Sequence, residues 1–499
     1  MSETTVELAA KPAGGGGGLF GRGLLYVVVW SAQLVGSTLI SPVLAHLLGP
    51  TDFGELASAI ALHQILLILA VVGIDQALVQ QRAEDGDDLR ARGLITVGLA
   101  VATVVTAVVW TTGPLWSAAA GFSGFSSLLV ATVLWTVPAG GVQLALGLLV
   151  AQDRFRAFAV VSGLAAIGGQ VFGLGLVAWL GPRADVYAWG GVISQFAALA
   201  VGLALVRPRL HGLLDRRTAW AAARFGLPLA VSMVFMFVLN AGDRVVIQRM
   251  LGAAEVGRYQ IAYTVGFVVT LLVGFTSQAW MPRIAGIRDR AARLRTVAWS
   301  RDESYLLVLP VVLGITVAAP TVLRIVAPAE FAPSTLVELV FLVAVCALPS
   351  VAAAASGKVL FTERRTRPLL VVAAVAATAN MLLTVVLLPV LGITGAALAT
   401  LAAFLLQAGL QHRAVPRAPR LARTPVWVLA TVFGVCLIGW ASTHLPQTGP
   451  WEIGRWVLTA ACVAWFLQRL RASRTASPPD AHPAGPADSP TVPLPRTPS

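Results

Sequence analysis

The sequence predicts an all-α polytopic membrane protein of about 14 transmembrane helices, twelve in two parallel six-helix repeats and two more at the C-terminal end. Three observations point there. Of 499 residues, 57% are hydrophobic and 12% charged, with mean hydropathy +0.80, whereas an ordinary soluble domain carries about 25% charge. Apolar stretches of the length that crosses a bilayer, about 20 residues, recur from Leu24 to Leu470. A polar corner also recurs between them, "LGPTDFGELA" at 48–57 and "LGAAEVGRYQ" at 251–260.

Counting corners places spans 1–7 near 23–47, 54–80, 93–112, 124–151, 155–180, 186–206 and 225–251. Spans 8–14 follow near 257–282, 301–326, 334–360, 368–390, 393–412, 425–443 and 452–470. The basic residues orient them. With a cytoplasmic N-terminus, 30 of the 36 Lys and Arg fall on the inner side, and only Arg183, Arg244, Arg249, Arg258, Arg324 and Arg455 lie outward or within a span. Short loops rich in Arg and Lys stay cytoplasmic, so both termini are expected there. The net charge of +13 is therefore a topology signal and not a nucleic-acid footprint.

The expected organisation is a disordered cytoplasmic N-terminus (1–22), an N-lobe (23–206, spans 1–6), a basic cytoplasmic linker (207–224) and a C-lobe (225–412, spans 7–12). A basic cytoplasmic loop (413–424), spans 13–14 (425–470) and a disordered Pro-rich tail (471–499) complete it. The first apolar run is too long for a signal-peptide core and shows no cleavage site, which marks a retained span. Cys346, Cys436 and Cys462 all lie in apolar spans and suggest neither a disulfide framework nor a metal site. Arg outnumbers Lys by 34 to 2, which fits a GC-rich bacterial genome.

The two corners align without gaps at an offset of 203 residues, which sets Gly54 over Gly257, Ser37 over Asn240 and Ser41 over Arg244. A weaker echo pairs "DRFRAFAVVSGLAAIGGQ" (153–170) with "ERRTRPLLVVAAVAATAN" (363–380), each followed by a Leu-Gly corner, at 180–181 and 391–392. Six spans is an even number, so the second copy enters from the same side as the first and the repeats are parallel, as in some transporters. Within the corner, Gly49 and Gly252 can close a helix and Pro50 cannot continue one. Asp52 and Glu255 precede the next helix, where an acid favours the positive end of its dipole, so they read as caps.

At this point the residues resemble a family. "FGLPLAVSMVFMFVLNAGDRVVIQRMLGAAEVGRYQIAYTV" (225–265) resembles the start of the second half of Wzx-type polysaccharide flippases of the multidrug/oligosaccharidyl-lipid/polysaccharide exporter superfamily. "LISPVLAHLLGPTDFGELASAIALHQILLILAVVGIDQALVQ" (39–80) resembles the first half, and "LGITGAALAT" (391–400) the twelfth span. The resemblance covers roughly 22 to 412. It implies two six-helix lobes around a central cavity that moves lipid-diphosphate-linked sugars outward across a bacterial plasma membrane. Membrane lipids, a coupling proton or sodium ion, and a polysaccharide polymerase or glycosyltransferase are the candidate partners; no cofactor, metal or nucleic acid is expected.

Span 7 carries a polar stripe. Asn240, Arg244 and Gln248 fall at i, i+4 and i+8 and stack on one helix face, with Asp243 beside it. Arg244 lies eight residues before Gly252, about 12 Å along a helix, and so within the hydrocarbon region. Placing an Arg at a helix centre costs at least about 2.5–3.5 kcal/mol, so Arg244 should face water or a partner. A guanidinium fork matches phosphate oxygens, which makes it a candidate docking cation for a diphosphate; an interlobe salt bridge or snorkelling to the surface is the alternative. Gln33, Ser37 and Ser41 form the equivalent stripe on span 1, and Arg249 and Arg258 lie near the outer mouth. Asp75, Asp243, Glu338 and His63 are the candidates for a coupling ion, although a packing role suits His63 better.

Enzyme chemistry lacks its motifs. No phosphate loop is present (Gly357–Lys358 is followed by Val), and no H-E-x-x-H occurs. A membrane glycosyltransferase or polysaccharide polymerase should carry a larger, charged outward loop, but the stretch 113–123 has no charge. A lipid II flippase or multidrug exporter of the same superfamily is the alternative reading, with a similar scaffold and a different cavity.

Overall fold

The computed structural model describes residues 19–416 and 421–475. Most of the two expected disordered ends lies outside these residues. In chain order the helices are α1 (Leu19–Val71), α2 (Ile74–Asp85), α3 (Leu89–Thr111), α4 (Gly113–Trp116), α5 (Ser127–Ala151), α6 (Phe155–Gly163), α7 (Gly169–Leu180) and α8 (Ala184–Val206). There follow α9 (Arg216–Ala241), α10 (Asp243–Leu251), α11 (Ala253–Gly286), α12 (Arg290–Val326), α13 (Val337–Val345), α14 (Ala347–Thr362), α15 (Thr366–Leu391), α16 (Ile393–Ala414), α17 (Val426–Thr443) and α18 (Pro450–Thr475). Among the described residues there is no strand, and twelve stretches are long and apolar enough to cross a membrane.

The repeated corner has one backbone geometry in both copies. Gly49 adopts φ 70°, ψ 174° and Gly252 φ 91°, ψ 173°, a region that only glycine enters without strain. The echoing corners, Gly181 and Gly392, also take positive φ. The Leu-Gly signal is therefore a sharp helix-to-helix turn, and α1 runs through it as two helices joined at Gly49.

Several spans expected to be continuous are broken. Val72 (φ 50°) and Gly73 (φ 69°) interrupt span 2 between α1 and α2. Span 5 contains a π-helical segment, Leu164–Gly168, whose Leu164 carbonyl accepts from Ser194 Oγ at 2.6 Å. Span 7 divides at Gly242 into α9 and α10, and span 10 at Cys346 into α13 and α14. Apolar length predicts a crossing but is blind to a lapse of one or two residues inside it.

The chain forms two compact units. Of the described residues, one holds 19–40, Leu66–Thr111 and Val130–Ala230; the other holds Ser41–Ile65, Thr112–Leu129, 231–416 and 421–475. The first is built on Leu78, Leu94, Ile95, Leu144, Leu148 and Phe158, all fully or nearly fully buried. Its helices approach closely through glycine: a Cβ on Gly190 would lie 2.4 Å from Gly173 Cα, which holds α8 against α7.

In the second unit, α17 and α18 pack on α12. Val428, Val435 and Cys462 join a core with Leu309, Val312 and Leu348, while Val426, Phe433, Ile453 and Val457 remain exposed. The two extra helices therefore lie beside the second repeat's helices, with an apolar face left uncovered by protein.

Candidate functional site

The polar stripe of span 7 lies in the second unit, at the break between α9 and α10. Because α9 ends at Ala241, the carbonyls of its last turn need partners outside the helix. Asn380 Nδ2 of α15 donates to the Leu239 carbonyl at 2.9 Å. The Asn240 carbonyl accepts from Tyr263 OH at 2.9 Å and from Arg244 Nη1 at 3.3 Å.

Arg244 and Asp243 then open α10, and both are buried, with 6% and 0% of their surface exposed. Arg244 Nη1 lies 3.0 Å from Asp243 Oδ1, and Nε donates to Gln260 Oε1 at 2.7 Å. The guanidinium carbon sits 4.3 Å from the Tyr263 ring centroid, a cation–π contact. Tyr259 OH donates to the other carboxylate oxygen, Asp243 Oδ2. Each formal charge therefore has an opposite charge and neutral dipoles around it, as a charge in such a setting requires. The arrangement is a guanidinium in a cage of acceptors, all supplied by α9, α10 and α11.

One turn on, Gln248 does something different. Ser58 Oγ donates to Gln248 Oε1 at 3.1 Å, and Gln248 Nε2 donates to the Gly121 carbonyl at 3.2 Å. Gly121, at φ +88°, lies so near α10 that a Cβ there would stand 2.7 Å from Arg249 Cα. Beside this contact the two corners cross. A Cβ on Gly54 would meet the Ala253 carbonyl oxygen at 1.8 Å, and one on Gly257 would meet the Pro50 oxygen at 2.2 Å. Pro50 and Ala253 are themselves related by the 203-residue offset, so the contact is reciprocal.

The remaining candidates are not part of the cage. Arg249 is exposed. Arg258 pairs with Glu255 at 2.6 Å and donates to Thr335 Oγ1 at 2.7 Å and the Phe331 carbonyl at 3.2 Å, tying α11 to the segment before α13. Ser41 Oγ is buried with no hydrogen-bond partner; the side chains of Gln33 and Ser37 lie outside the described residues. Asp75 belongs to the other unit, where Gln76 and Gln143 donate to Oδ2 at 3.0 and 3.1 Å. His63 is buried, and Glu338 is exposed in the first turn of α13.

Sequence reasoning missed Tyr259, Gln260 and Tyr263. A signal was available: the chain has five Tyr, and two stand four residues apart just past the second corner. The offset places apolar or small residues, Leu56, Ala57 and Ile60, at the corresponding positions of the first copy.

Repeated helical hairpins and a broken span with buried charge are features of membrane transporters, and the comparisons agree on that fold. The structure superposes on the lipid II flippase MurJ in an inward closed conformation with TM-score 0.68, over 91% of this chain and 100% of that one, at 12% identity. It superposes on an inward-facing multidrug resistance MATE family transporter with TM-score 0.57, over 82% and 98%, at 14% identity. These likenesses concern the fold alone.

The sequence profile of the polysaccharide biosynthesis protein family matches residues 43–335, and the chain belongs to that family. It is 26% identical over 304 residues to the succinoglycan biosynthesis transport protein ExoT of Rhizobium meliloti (strain 1021), spanning 56% of this chain and 57% of that protein. It is 25% identical over 447 residues to a Haloferax volcanii protein named "Probable flippase AglR", spanning 84% of this chain and 89% of that one.

Proposed function

We propose that this protein is a flippase, not an enzyme, and that it carries a polyprenyl-diphosphate-linked oligosaccharide from the inner to the outer leaflet of the bacterial plasma membrane. The transport works by alternating access and serves cell-surface polysaccharide biosynthesis. The observation that carries this reading is Arg244, a buried guanidinium at the break in span 7 of a chain in a polysaccharide biosynthesis family. A diphosphate leaving water for a site walled by apolar helices pays a heavy desolvation cost without positive charge to meet it. Asp243 Oδ1 and Gln260 Oε1 occupy the positions around the guanidinium that phosphate oxygens suit. In this reading the anionic headgroup takes over one of them during transport.

The orientation proposed is the one the arginines favour, with both termini cytoplasmic and the Gly49 and Gly252 corners outside. N- and C-lobes of six spans each (23–206 and 225–412) provide the moving parts. Asp243, Asp75, His63 and Glu338 remain the candidates for a coupling proton or sodium ion, and a polymerase or glycosyltransferase is the proposed partner for handing over substrate and product.

The test is export of the lipid-linked sugar at matched membrane abundance. Arg244→Ala is expected to abolish it, Arg244→Lys to retain part of it, and Ser41→Ala, the equivalent change in the first copy, to have a mild effect. Normal export by Arg244→Ala at parental abundance overturns the docking role. Reconstitution with defined lipids separates this substrate from lipid II or a drug.

A further inference from the structure

The nine residues of α10 are held at both ends by different partners. At the first turn, the guanidinium of Arg244 bonds Asp243, Gln260 and the Asn240 carbonyl. One turn further on, Gln248 bonds Ser58 of α1 and the Gly121 carbonyl of the loop after α4. A helix of this length measures about 13 Å and transmits displacement as a stiff rod. Its junction with α9 is Gly242, which keeps a near-helical backbone (φ −67°, ψ −24°) and an N–H bond to the Val238 carbonyl at 3.0 Å, but begins a tighter turn. There Val245 N–H reaches the Gly242 carbonyl, only three residues back, at 3.2 Å. Arg244 and Gln248 share a face four residues apart, so tilting α10 about Gly242 moves both.

We infer that α10 couples the charge cage to the corner contact: the Asp243–Arg244 pair holds Gln248 against Ser58 and Gly121, and drawing Arg244 away from Asp243 releases that contact. This rests on the reading that Arg244 takes the diphosphate, and it supplies what that reading lacks, a route by which arrival of the substrate loosens the closed corner. The corner contact is suited to release. It holds Gln248 by two neutral hydrogen bonds, and neutral hydrogen bonds are each worth only about 0.5–1.5 kcal/mol net. Asp243→Asn mimics the effect on the pair, since it keeps the side chain's size and removes the charge that fixes Arg244.

The experiment reads the rate at which a cysteine at Ala59, next to Ser58, reacts with an impermeant maleimide added from outside. The background lacks Cys346, Cys436 and Cys462, and no substrate is added. Ala59 is 1% exposed, so the Ala59→Cys parent, which keeps the Ser58–Gln248 bond, should label slowly. Adding Gln248→Ala, which cuts the contact directly, should raise the rate about tenfold or more. Adding Asp243→Asn, or Arg244→Gln if the former does not reach the membrane, should raise it comparably. Adding Arg258→Ala, which breaks an ion pair outside α10, should leave it unchanged.

The inference is overturned by a parental rate in both Asp243→Asn and Arg244→Gln while Gln248→Ala is fast, or by a parental rate in Gln248→Ala itself. An equal rise in Arg258→Ala also overturns it, because the loosening would then be general. The flippase reading is judged separately. If Arg244→Ala loses export but neither pair variant changes labelling, docking stands and the coupling fails.

Discussion

Among single residues, Arg244 shows how a charge chosen from the sequence acquires meaning from its neighbours. Its i, i+4 spacing from Asn240 and Gln248 and its match to Ser41 could be read from residue numbers alone, through helical spacing and the 203-residue offset. The cage could not, because Gln260, Tyr259 and Tyr263 belong to the next helix and no periodicity on span 7 reveals them. Arg244→Ala strands Asp243 without its counter-charge, and breaking one partner of a buried pair costs about 3–5 kcal/mol. Export by that variant is therefore informative only beside its measured abundance. Asp88 gives a pH dependence of definite sign. Burial works against its charge, but hydrogen bonds from Arg82 and Gln152, with the charges of Arg82 and Arg92, hold its carboxyl below the ordinary value of 3.8. A depressed carboxylate contributes stability that is fully present above its unfolded value and lost as pH falls through the folded one. The loop between α2 and α3 is thus expected to hold through mild acid and loosen only below the ordinary carboxylate range. Hydrogen exchange at residues 86–92 checks this, and loosening already near neutral pH contradicts it.

Among elements, the C-terminal hairpin is fastened by one buried arginine. Arg455 of α18, 6% exposed, donates to the Ser442 carbonyl at 2.7 Å, the Leu445 carbonyl at 3.0 Å and the Val317 carbonyl of α12 at 3.3 Å. Beside it Arg324 of α12 pairs with Glu452 at 3.4 Å. In the expected topology both arginines fall outside the inward bias of positive charge, and in the structure they join α12 to α17 and α18. Removing Arg455 takes one donor from each of three carbonyls, although that of Ser442 also accepts from Leu445 N–H at 3.4 Å, so Arg455→Met is expected to lower stability by about 1–3 kcal/mol. Glu452→Gln, at a half-exposed pair, should cost under about 1 kcal/mol. Thermal unfolding of the purified protein in detergent distinguishes them, and equal shifts would contradict this account. The extra pair of helices was predictable from apolar length, whereas its docking on α12 was not, since that depends on shape at Gly314, where an added Cβ would lie 3.2 Å from Cys462 Cβ.

For the whole molecule, composition and charge bias were sufficient for an all-helical, polytopic reading, because a bilayer imposes one length on every crossing. The breaks at 72–73 and 242 escaped that reasoning, since hydropathy averages over them. The proposed orientation is open to a direct check with single cysteines in the cysteine-free background. Ser123→Cys and Thr448→Cys, both at exposed positions, should react with an impermeant reagent from outside, and Gly86→Cys should not; the reverse pattern defeats the orientation. Ser117 is a poor reporter for the same loop, being 1% exposed.

The crossing of Gly54 and Gly257 has one further consequence. Each copy of the duplicated hairpin supplies both the missing side chain and the carbonyl that fills its place, Ala253 over Gly54 and Pro50 over Gly257. A duplication usually frees one copy to drift while the other keeps the original duty. Here neither is free at these positions, for an alanine in either copy presses on the backbone of the other, and matching alanines in both press twice. Both hairpins are therefore held to glycine at this crossing, like the two halves of a hinge cut from the same plate.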